Sequence, residues 1–292
     1  MPVIAVVGAG AIGSVVATRL MARSGNEVLV ATRTPRGALE VTLGGTTTRV
    51  TPRMLTDPSA RLPGAAPEWV LVTTKAYDSD AVAGWFGMLV GPATRLAVLQ
   101  NGVEHVERFA PYIPRERILP VVVDVPAFRT PQGRVEQHGA GELTVPSSDA
   151  GADFAGLFAG TGLRVTKTDD LATALWRKLC LNAVGAISAA TLAPRLNVAE
   201  RETADLVRAV VNEAVAVGRA EGATLDTTLA ETILAGLAAQ PDGQINSMHA
   251  DRLAGRPMEI DARNGTIVRI GASHGIPTPV NGMLVALLRA TT

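Results

Sequence analysis

The chain has 292 residues, of which 47% are hydrophobic and only 3% aromatic, and 27 basic residues balance 27 acidic ones. This length suits two domains of ordinary size. A neutral chain has no overall field that would hold a nucleic acid or an anionic membrane surface, and no apolar run reaches the ~20 residues of a membrane helix. We therefore expect neither partner. The single cysteine, Cys180, cannot form an internal disulfide, which favours a cytoplasmic location.

The first half of the chain alternates short β-rich runs with helical segments. One helical pattern covers residues 12–23. Strands are predicted at residues 3–7, 27–31, 69–73, 96–99 and 118–123. Strands that alternate with helices at this spacing indicate a doubly wound parallel sheet.

Two segments of the first half contain many small, β-branched and polar residues. We expect a small hairpin at residues 39–53, inserted after the second strand. Residues 133–145 have the pattern of antiparallel strands, and we expect them to complete the sheet.

A glycine-rich motif follows the first predicted strand and opens the first helix. It reads GAGAIG at residues 8–13. The first glycine makes the tight turn, the second lets the backbone approach a pyrophosphate, and the third lets helix and strand pack closely. The helix N-terminus faces the phosphates. This predicts a Rossmann-type dinucleotide site at Gly8, Gly10, Ala11, Ile12 and Gly13.

The residues after the second predicted strand favour NADP(H) as the cofactor. NAD enzymes usually have an acidic residue there for the ribose 2′-hydroxyl, whereas this chain has Thr32, Arg33 and, three residues later, Arg36. Guanidinium groups suit a 2′-phosphate, and no carboxylate repels it. Lys75, after the next strand of the sheet, adds a further cation. We predict that Arg33 and Lys75 bind the cofactor.

The pattern becomes helical near residue 167. Helices are predicted at residues 172–190, 198–221, 227–239 and 279–290, and a long helical segment before the last of these ends with residues 267–274. The sequence thus predicts an α/β chain, with an N-terminal doubly wound Rossmann domain at residues 1–166 and a C-terminal all-helical domain at residues 167–292. The amphipathic helices are compatible with a homodimer, and equally with helices that cover one another.

Polar residues recur at chemically suggestive places. Asn101 follows the fourth strand, whose carboxyl end should face the cofactor. Lys178 and Asn182 lie four residues apart on one helical face. Ser247 and Glu259 are polar residues within otherwise apolar helical segments. Together they are typical of a lined binding site.

Taken in order, these segments resemble the ketopantoate reductase family over nearly the whole chain. The resemblance rests on the glycine motif, Lys75, LQNG at 99–102, WRK at 176–178 with Asn182, SM at 247–248, EID and NG between 259 and 265, and the closing HGI, TP and N between 274 and 281. It implies NADPH-dependent reduction of a 2-keto acid, 2-dehydropantoate (ketopantoate) to pantoate, in pantothenate biosynthesis.

The resemblance also implies a function for each site residue. Lys178 would be the general acid that protonates the carbonyl oxygen, and Glu259 would bind the distal hydroxyl. Ser247 and Asn182 would hold the carboxylate end. Asn101 would contact both cofactor and substrate.

Two positions depart from the family pattern. Ala186 and Gln244 stand where the family commonly has asparagine, and we retain Gln244 as a candidate substrate ligand. A pocket with fewer amides would suit a bulkier or more apolar 2-keto acid, so a sister carbonyl reductase is an alternative. A protein that senses NADP(H) without turnover is a second alternative. The four histidines lack ligand spacing, and no metal site is expected.

Overall fold

The computed structural model describes residues 2–23, 25–130, 132–241 and 245–291, in two compact units. The first unit comprises Met1–Gln100 and Glu104–Asp169, and the second comprises Asn101–Val103 and Asp170–Thr292. The sequence places the boundary at residue 166 and gives no sign that residues 101–103 belong with the helical unit. They do so because Val103 packs against the apolar core of that unit.

The first unit is built on a six-stranded parallel sheet. The strands of this unit are β1 (Val3–Val7), β2 (Glu27–Ala31), β3 (Leu39–Leu43), β4 (Thr46–Val50), β5 (Arg53–Leu55), β6 (Trp69–Val72), β7 (Arg95–Val98), β8 (Ile118–Pro120), β9 (Val122–Asp124), β10 (Ala127–Arg129), β11 (Val135–Gln137), β12 (Glu142–Pro146) and β13 (Arg164–Thr168). The main sheet has the order β5-β2-β1-β6-β7-β8, and all its pairings are parallel. The chain leaves β1 towards β2 on one side and reaches β6 on the other, which creates the switch point where doubly wound sheets bind ligands.

Continuous apolar runs form the central strands because both faces of the sheet are covered. In β1, Ile4 and Val6 pack on one face with residues of helix α1 (Ala11–Ala22). Ala5 and Val7 pack on the other face, in a separate apolar cluster that contains Phe109. Helices α2 (Ser79–Ala83), α3 (Phe86–Leu89), α4 (His105–Phe109) and α5 (Asp149–Leu157) complete the unit.

Two smaller sheets lie beside the main one. The predicted hairpin is present as β3 and β4, within a sheet of order β10-β11-β3-β4. The prediction that residues 133–145 complete the main sheet is wrong, because β11 pairs with β10 and β3, while β12 pairs with β13 and β9. The single strand predicted at 118–123 is divided into β8 and β9, which join different sheets. Pro120 ends β8 and has no N–H with which to extend the ladder.

All the regular secondary structure described in the second unit is helical. Its elements are α6 (Leu171–Thr191), α7 (Arg201–Ala220), α8 (Leu229–Ala238), α9 (Ser247–Leu253), a π-helical segment (Asp261–Gly265), α10 (Thr266–Ser273) and α11 (Pro279–Arg289). Helix α6 is central and packs against α7, α9 and α11. The sequence predicts one long helical segment between α8 and α11 and does not separate α9, the π-helical segment and α10. The predicted fold class, a doubly wound α/β domain followed by a helical domain, is confirmed.

The aliphatic core of the helical unit leaves little room for polar groups. Its fully buried members include Leu179, Val207, Val210, Ile267 and Leu288. Polar side chains buried within this aliphatic unit therefore call for a specific explanation.

In the described ranges no helix has the length and apolar character needed to cross a membrane.

Candidate active site

The glycine motif forms a tight turn between β1 and α1. Gly8 has a φ of +105°, which favours glycine, and a Cβ there would lie 2.8 Å from Thr74 Cγ2. A Cβ at Gly13 would lie 1.8 Å from the carbonyl oxygen of Gly8 and 2.5 Å from Thr73 Oγ1. The Thr73 hydroxyl donates to that same carbonyl at 2.8 Å. Helix and turn therefore meet at backbone distance, and only glycine fits at position 13.

Gly10 differs from the other two glycines because it borders open space. A Cβ there would have no neighbour nearer than the carbonyl oxygen of Thr73, at 3.9 Å. Gly10 is the N-cap of α1, no side chain caps this end, and the first turn contains no acidic residue. Ala11 and Ile12 follow as half-buried residues of that turn. The N-terminal N–H groups and the open space at Gly10 fit a pyrophosphate.

Arg129 lies at this turn, although the sequence analysis did not single it out. Its Nη2 donates to the carbonyl oxygen of Ala9. Arg129 ends β10, and 120 positions separate it from Ala9 in sequence. An arginine in a short strand carries no local signal of such a contact. Its guanidinium adds positive charge beside the glycine motif.

The cations predicted to bind the cofactor have different surroundings. Arg33 has 75% of its side chain exposed, and its Nη2 lies 3.4 Å from Asp78 Oδ1. Asp78 was not anticipated, and its carboxylate would compete with a phosphate for the guanidinium. Lys75 is half-buried, and its backbone carbonyl accepts a hydrogen bond from Gln100 Nε2 at 3.3 Å. Gln100 Nε2 also donates to Thr74 Oγ1 at 3.1 Å, which ties the ends of β6 and β7 together.

In the second unit, three predicted site residues form one hydrogen-bonded array. Asn182 Nδ2 donates to Asn101 Oδ1 at 3.2 Å, and Asn101 Nδ2 donates to Glu259 Oε2 at 2.8 Å. The Glu259 side chain is only 2% exposed. The two bonds fix the orientation of the Asn101 amide, so its nitrogen faces a carboxylate oxygen. Three residues that are distant in sequence thus form one hydrogen-bonded chain that ends at a buried carboxylate.

The array continues to an arginine that the sequence analysis missed. Arg263 Nη2 donates to Ser247 Oγ at 2.6 Å and lies 3.9 Å from Glu259 Oε2. Its side chain is 3% exposed, and its Nε has no hydrogen-bond partner within the described part of the chain. Desolvation lowers the pKa of Arg263, and the charges of Glu259 and Asp251 oppose this effect. The spacing of four residues from Glu259 is the signal that could have drawn attention to it.

Helix geometry positions the remaining candidates. Lys178 is half-buried on α6, one turn before Asn182. Ser247 begins α9 and is exposed, and the preceding Asn246 caps this helix through its Oδ1, which accepts from the His249 N–H at 3.0 Å. A Cβ at Gly185 of α6 would lie 2.9 Å from that same Oδ1. This glycine therefore allows the start of α9 to approach α6 closely.

The positions that depart from the family pattern contribute no described polar contact. Gln244 lies outside the described residues. Ala186 is fully buried in the apolar core of the unit, so the smaller residue opens no accessible space there. Asn264, within the EID–NG segment, is also fully buried, and its Nδ2 donates to the carbonyl oxygen of Ala183 and to Asn281 Oδ1. These contacts tie the π-helical segment to α6 and α11, which is a packing function.

Comparisons with known proteins agree along the whole chain. A model described as "Ketopantoate reductase PanE/ApbA" matches residues 4–150, and one for the "Ketopantoate reductase PanE/ApbA C terminal" matches residues 170–292. A 2-dehydropantoate 2-reductase of Caulobacter vibrioides is 48% identical over 290 residues, covering 99% of each chain. One from Mycobacterium tuberculosis (strain CDC 1551 / Oshkosh) is 37% identical, covering 99% of this chain and 97% of its own. The crystal structure of 2-dehydropantoate 2-reductase from Geobacter metallireducens GS-15 has a TM-score of 0.90 and 28% identity, with 99% and 100% of the two chains covered.

Proposed function

This chain belongs to the ketopantoate reductase family, a family of oxidoreductases, as its sequence predicted, and we propose that it reduces 2-dehydropantoate (ketopantoate) to pantoate with NADPH. The observation that carries the proposal is the hydrogen-bonded array in which the half-buried Asn182 and Asn101 lead to the buried Glu259. Burying these polar groups costs stability that an apolar core would not lose. Such a set is expected where a polar substrate must be held.

We assign each side chain of the array to one part of the substrate. Glu259, a hydrogen-bond acceptor held in place by Asn101, binds the distal hydroxyl of ketopantoate. Ser247 and Asn182 bind the carboxylate through an O–H and an amide N–H. Asn101 orients Glu259 and contacts the substrate from the same amide.

Lys178 is assigned as the general acid. When bound, the reduced nicotinamide supplies a hydride to the carbonyl carbon of the substrate. The Lys178 ammonium gives one proton to the carbonyl oxygen, so the C=O group becomes CH–OH, and the neutral amine then takes a proton from water. Before that transfer, the positive charge of Lys178 stabilises the negative charge that develops on this oxygen.

A nicotinamide cofactor is common to the family, and we propose NADP(H) rather than NAD(H) for this chain. The pyrophosphate would bind at the glycine motif, through Gly8, Gly10, Ala11, Ile12 and Gly13, with Arg129 beside it. The 2′-phosphate would bind Arg33 and Lys75, and the phosphate dianion would displace Asp78 from the exposed Arg33. The first unit would therefore bind the cofactor and the second unit the keto acid.

Three further assignments belong to the proposal. Gln244 remains a predicted substrate ligand. The single cysteine supports a cytoplasmic location. A homodimer is proposed on the basis of α11, where Met283 and Leu287 are 65% and 50% exposed; light scattering on the purified protein tests it, and a monomeric mass would contradict it.

The test is the rate of NADPH oxidation with ketopantoate and with a panel of other 2-keto acids. In the wild type, ketopantoate should be preferred. Lys178→Ala should lower kcat by roughly 10²–10⁴-fold, because a general acid contributes about that much. The matched control is Arg177→Ala, which removes an exposed cation from the adjacent position of α6 and should leave kcat unchanged.

The outcomes separate the alternatives. Activity with another 2-keto acid alone would refute the ketopantoate assignment and support the sister reductase. NADPH binding, seen by fluorescence titration, without oxidation by any acid of the panel would refute an enzyme and support a sensor. Full activity of Lys178→Ala would remove this lysine from the mechanism.

A further inference from the structure

Arg263 is a buried cation with few short contacts. Only 3% of its side chain is exposed, its Nε has no hydrogen-bond partner among the described residues, and its separation from Glu259 Oε2 is 3.9 Å, longer than a hydrogen bond. Desolvation of a buried guanidinium costs free energy that so few short contacts offset only in part. Its presence therefore favours a use in the site over a use in the core.

The short contact of Arg263 is made to Ser247. The Ser247 Oγ accepts from Nη2 at 2.6 Å, which is a charge-assisted hydrogen bond. A hydroxyl that accepts such a bond directs its own O–H away from the donor and becomes a stronger donor itself. Because Ser247 is exposed while Arg263 is buried, the hydroxyl can carry the influence of the guanidinium to a ligand that Arg263 itself does not touch.

The balance of charge in the site also supports a function of Arg263 in substrate binding. A 2-keto acid brings one carboxylate to a site that already contains the buried Glu259. Two carboxylates in a poorly solvated site repel each other unless a cation lies near both. Arg263 contacts Ser247 and lies near Glu259. Arg256, seven residues earlier, instead forms an ion pair with Asp251, with 2.9 Å between Nε and Oδ1.

We propose that Arg263 is a positioning residue that determines specificity for acids: it orients and polarises the Ser247 hydroxyl for the substrate carboxylate and offsets the charge of Glu259. The π-helical segment that contains Arg263 begins two residues after Glu259, and Arg263 lies within reach of both Glu259 and Ser247. This inference rests on the proposed function insofar as Ser247 binds the carboxylate of the substrate.

Three substitutions separate the contributions of Arg263. Arg263→Met removes charge and donor, Arg263→Gln keeps a donor without charge, and Arg263→Lys keeps the charge. Each is compared in steady-state kinetics using whichever 2-keto acid the wild type turns over. A failure with ketopantoate then counts against the proposed substrate and leaves this inference testable. Arg256→Met is the matched control, since it removes a nearby guanidinium that pairs with Asp251.

We expect Arg263→Met to raise KM for the keto acid about tenfold or more, with the NADPH dissociation constant within about twofold of wild type. Arg263→Lys should raise KM less than Arg263→Met does, and Arg263→Gln should lie between these two variants. Arg256→Met should leave KM unchanged. Arg263→Met should also lower the melting temperature, because it leaves the buried carboxylate of Glu259 without the guanidinium that lies 3.9 Å away.

A double-mutant cycle with Ser247→Ala tests whether the arginine acts through the serine. If it does, Arg263→Met should raise KM for the keto acid only slightly in the Ser247→Ala background. The KM of the double variant should then stay within about threefold of that of the worse single variant. Multiplicative losses, or a KM for Arg263→Met within about twofold of wild type, would overturn the proposal. Should Arg263→Met fail to bind NADPH or to fold, the ranking of Arg263→Lys above Arg263→Gln decides, and equal KM values for these two would overturn it.

Discussion

Gly13→Ala is the substitution whose effect the structure defines most sharply. A Cβ at position 13 would lie 1.8 Å from the carbonyl oxygen of Gly8 and 2.5 Å from Thr73 Oγ1. Carbon and oxygen atoms that are not bonded need about 3 Å or more, so helix α1 must move away from the turn by more than 1 Å. The Gly8 carbonyl cannot rotate aside without losing the 2.8 Å bond from the Thr73 hydroxyl.

The cost follows from this displacement. Overpacking a well-packed region costs about 1–3 kcal/mol, and losing one buried hydrogen bond adds about 1 kcal/mol. For a unit of this size, about 1 kcal/mol corresponds to roughly 2–4 °C in melting temperature. Gly13→Ala should therefore lower the melting temperature of the first unit by roughly 4–16 °C. NADPH binding should weaken as well, since the moved helix no longer presents its N–H groups at the turn.

Gly10→Ala is the matched control, because the same methyl group meets no atom of the described residues nearer than 3.9 Å. Its φ of −71° is also favourable for alanine. We expect an unchanged melting temperature and an NADPH dissociation constant raised about tenfold or more, since the methyl would occupy the space of the pyrophosphate. Thermal unfolding by circular dichroism and fluorescence titration with NADPH give the two readouts.

The opposite result would refute the reasoning. If Gly13→Ala melts within about 1 °C of wild type, the close approach of helix and turn does not constrain the fold. If Gly10→Ala binds NADPH as tightly as wild type, the space beside Gly10 is not where the pyrophosphate lies.

The remaining predictions concern separate parts of the chain. Arg33→Ala should raise KM for NADPH about tenfold and leave KM for NADH nearly unchanged, because only NADPH has the 2′-phosphate; equal losses with both cofactors would exclude this contact. Glu213 Oε2 accepts from the backbone N–H of Asn281 at 2.9 Å and from its Nδ2 at 2.7 Å, at the start of α11. Glu213→Ala should therefore lower the free energy of unfolding in urea by about 1–3 kcal/mol, and an unchanged midpoint would contradict this. Burial raises the pKa of the Cys180 thiol from its ordinary value of 9.0 to about 12. Iodoacetamide at pH 8 should thus alkylate the folded protein far more slowly than the unfolded chain, and equal rates would show that the thiol is accessible. Because the folded pKa is the higher one, this thiol should contribute a loss of stability as pH rises above 9.0, a loss that Cys180→Ala lacks.

The sequence by itself determined the features that depend on local patterns. The bounds of β1 and β2 agree with the predicted strands, because a strand buried on both faces requires a continuous apolar run. The glycine motif was recognisable because tight turning and close packing demand glycine at fixed positions. The helices α6 and α11 followed from apolar residues at helical spacing, to within one residue at each end, and α10 lies at the end of the long helical segment that the sequence predicts.

Only the tertiary structure decided how distant segments meet. Asn101 and Glu259 are 158 positions apart and share a hydrogen bond, which assigns residues 101–103 to the helical unit. Arg129 reaches the carbonyl of Ala9, and β11 and β12 join small sheets instead of the main one. The importance of Arg263 likewise depends on its burial and on the serine it contacts. A local pattern records which face of a strand or helix is apolar, whereas the partner of a polar group is set by packing between elements, which has no periodicity in the sequence.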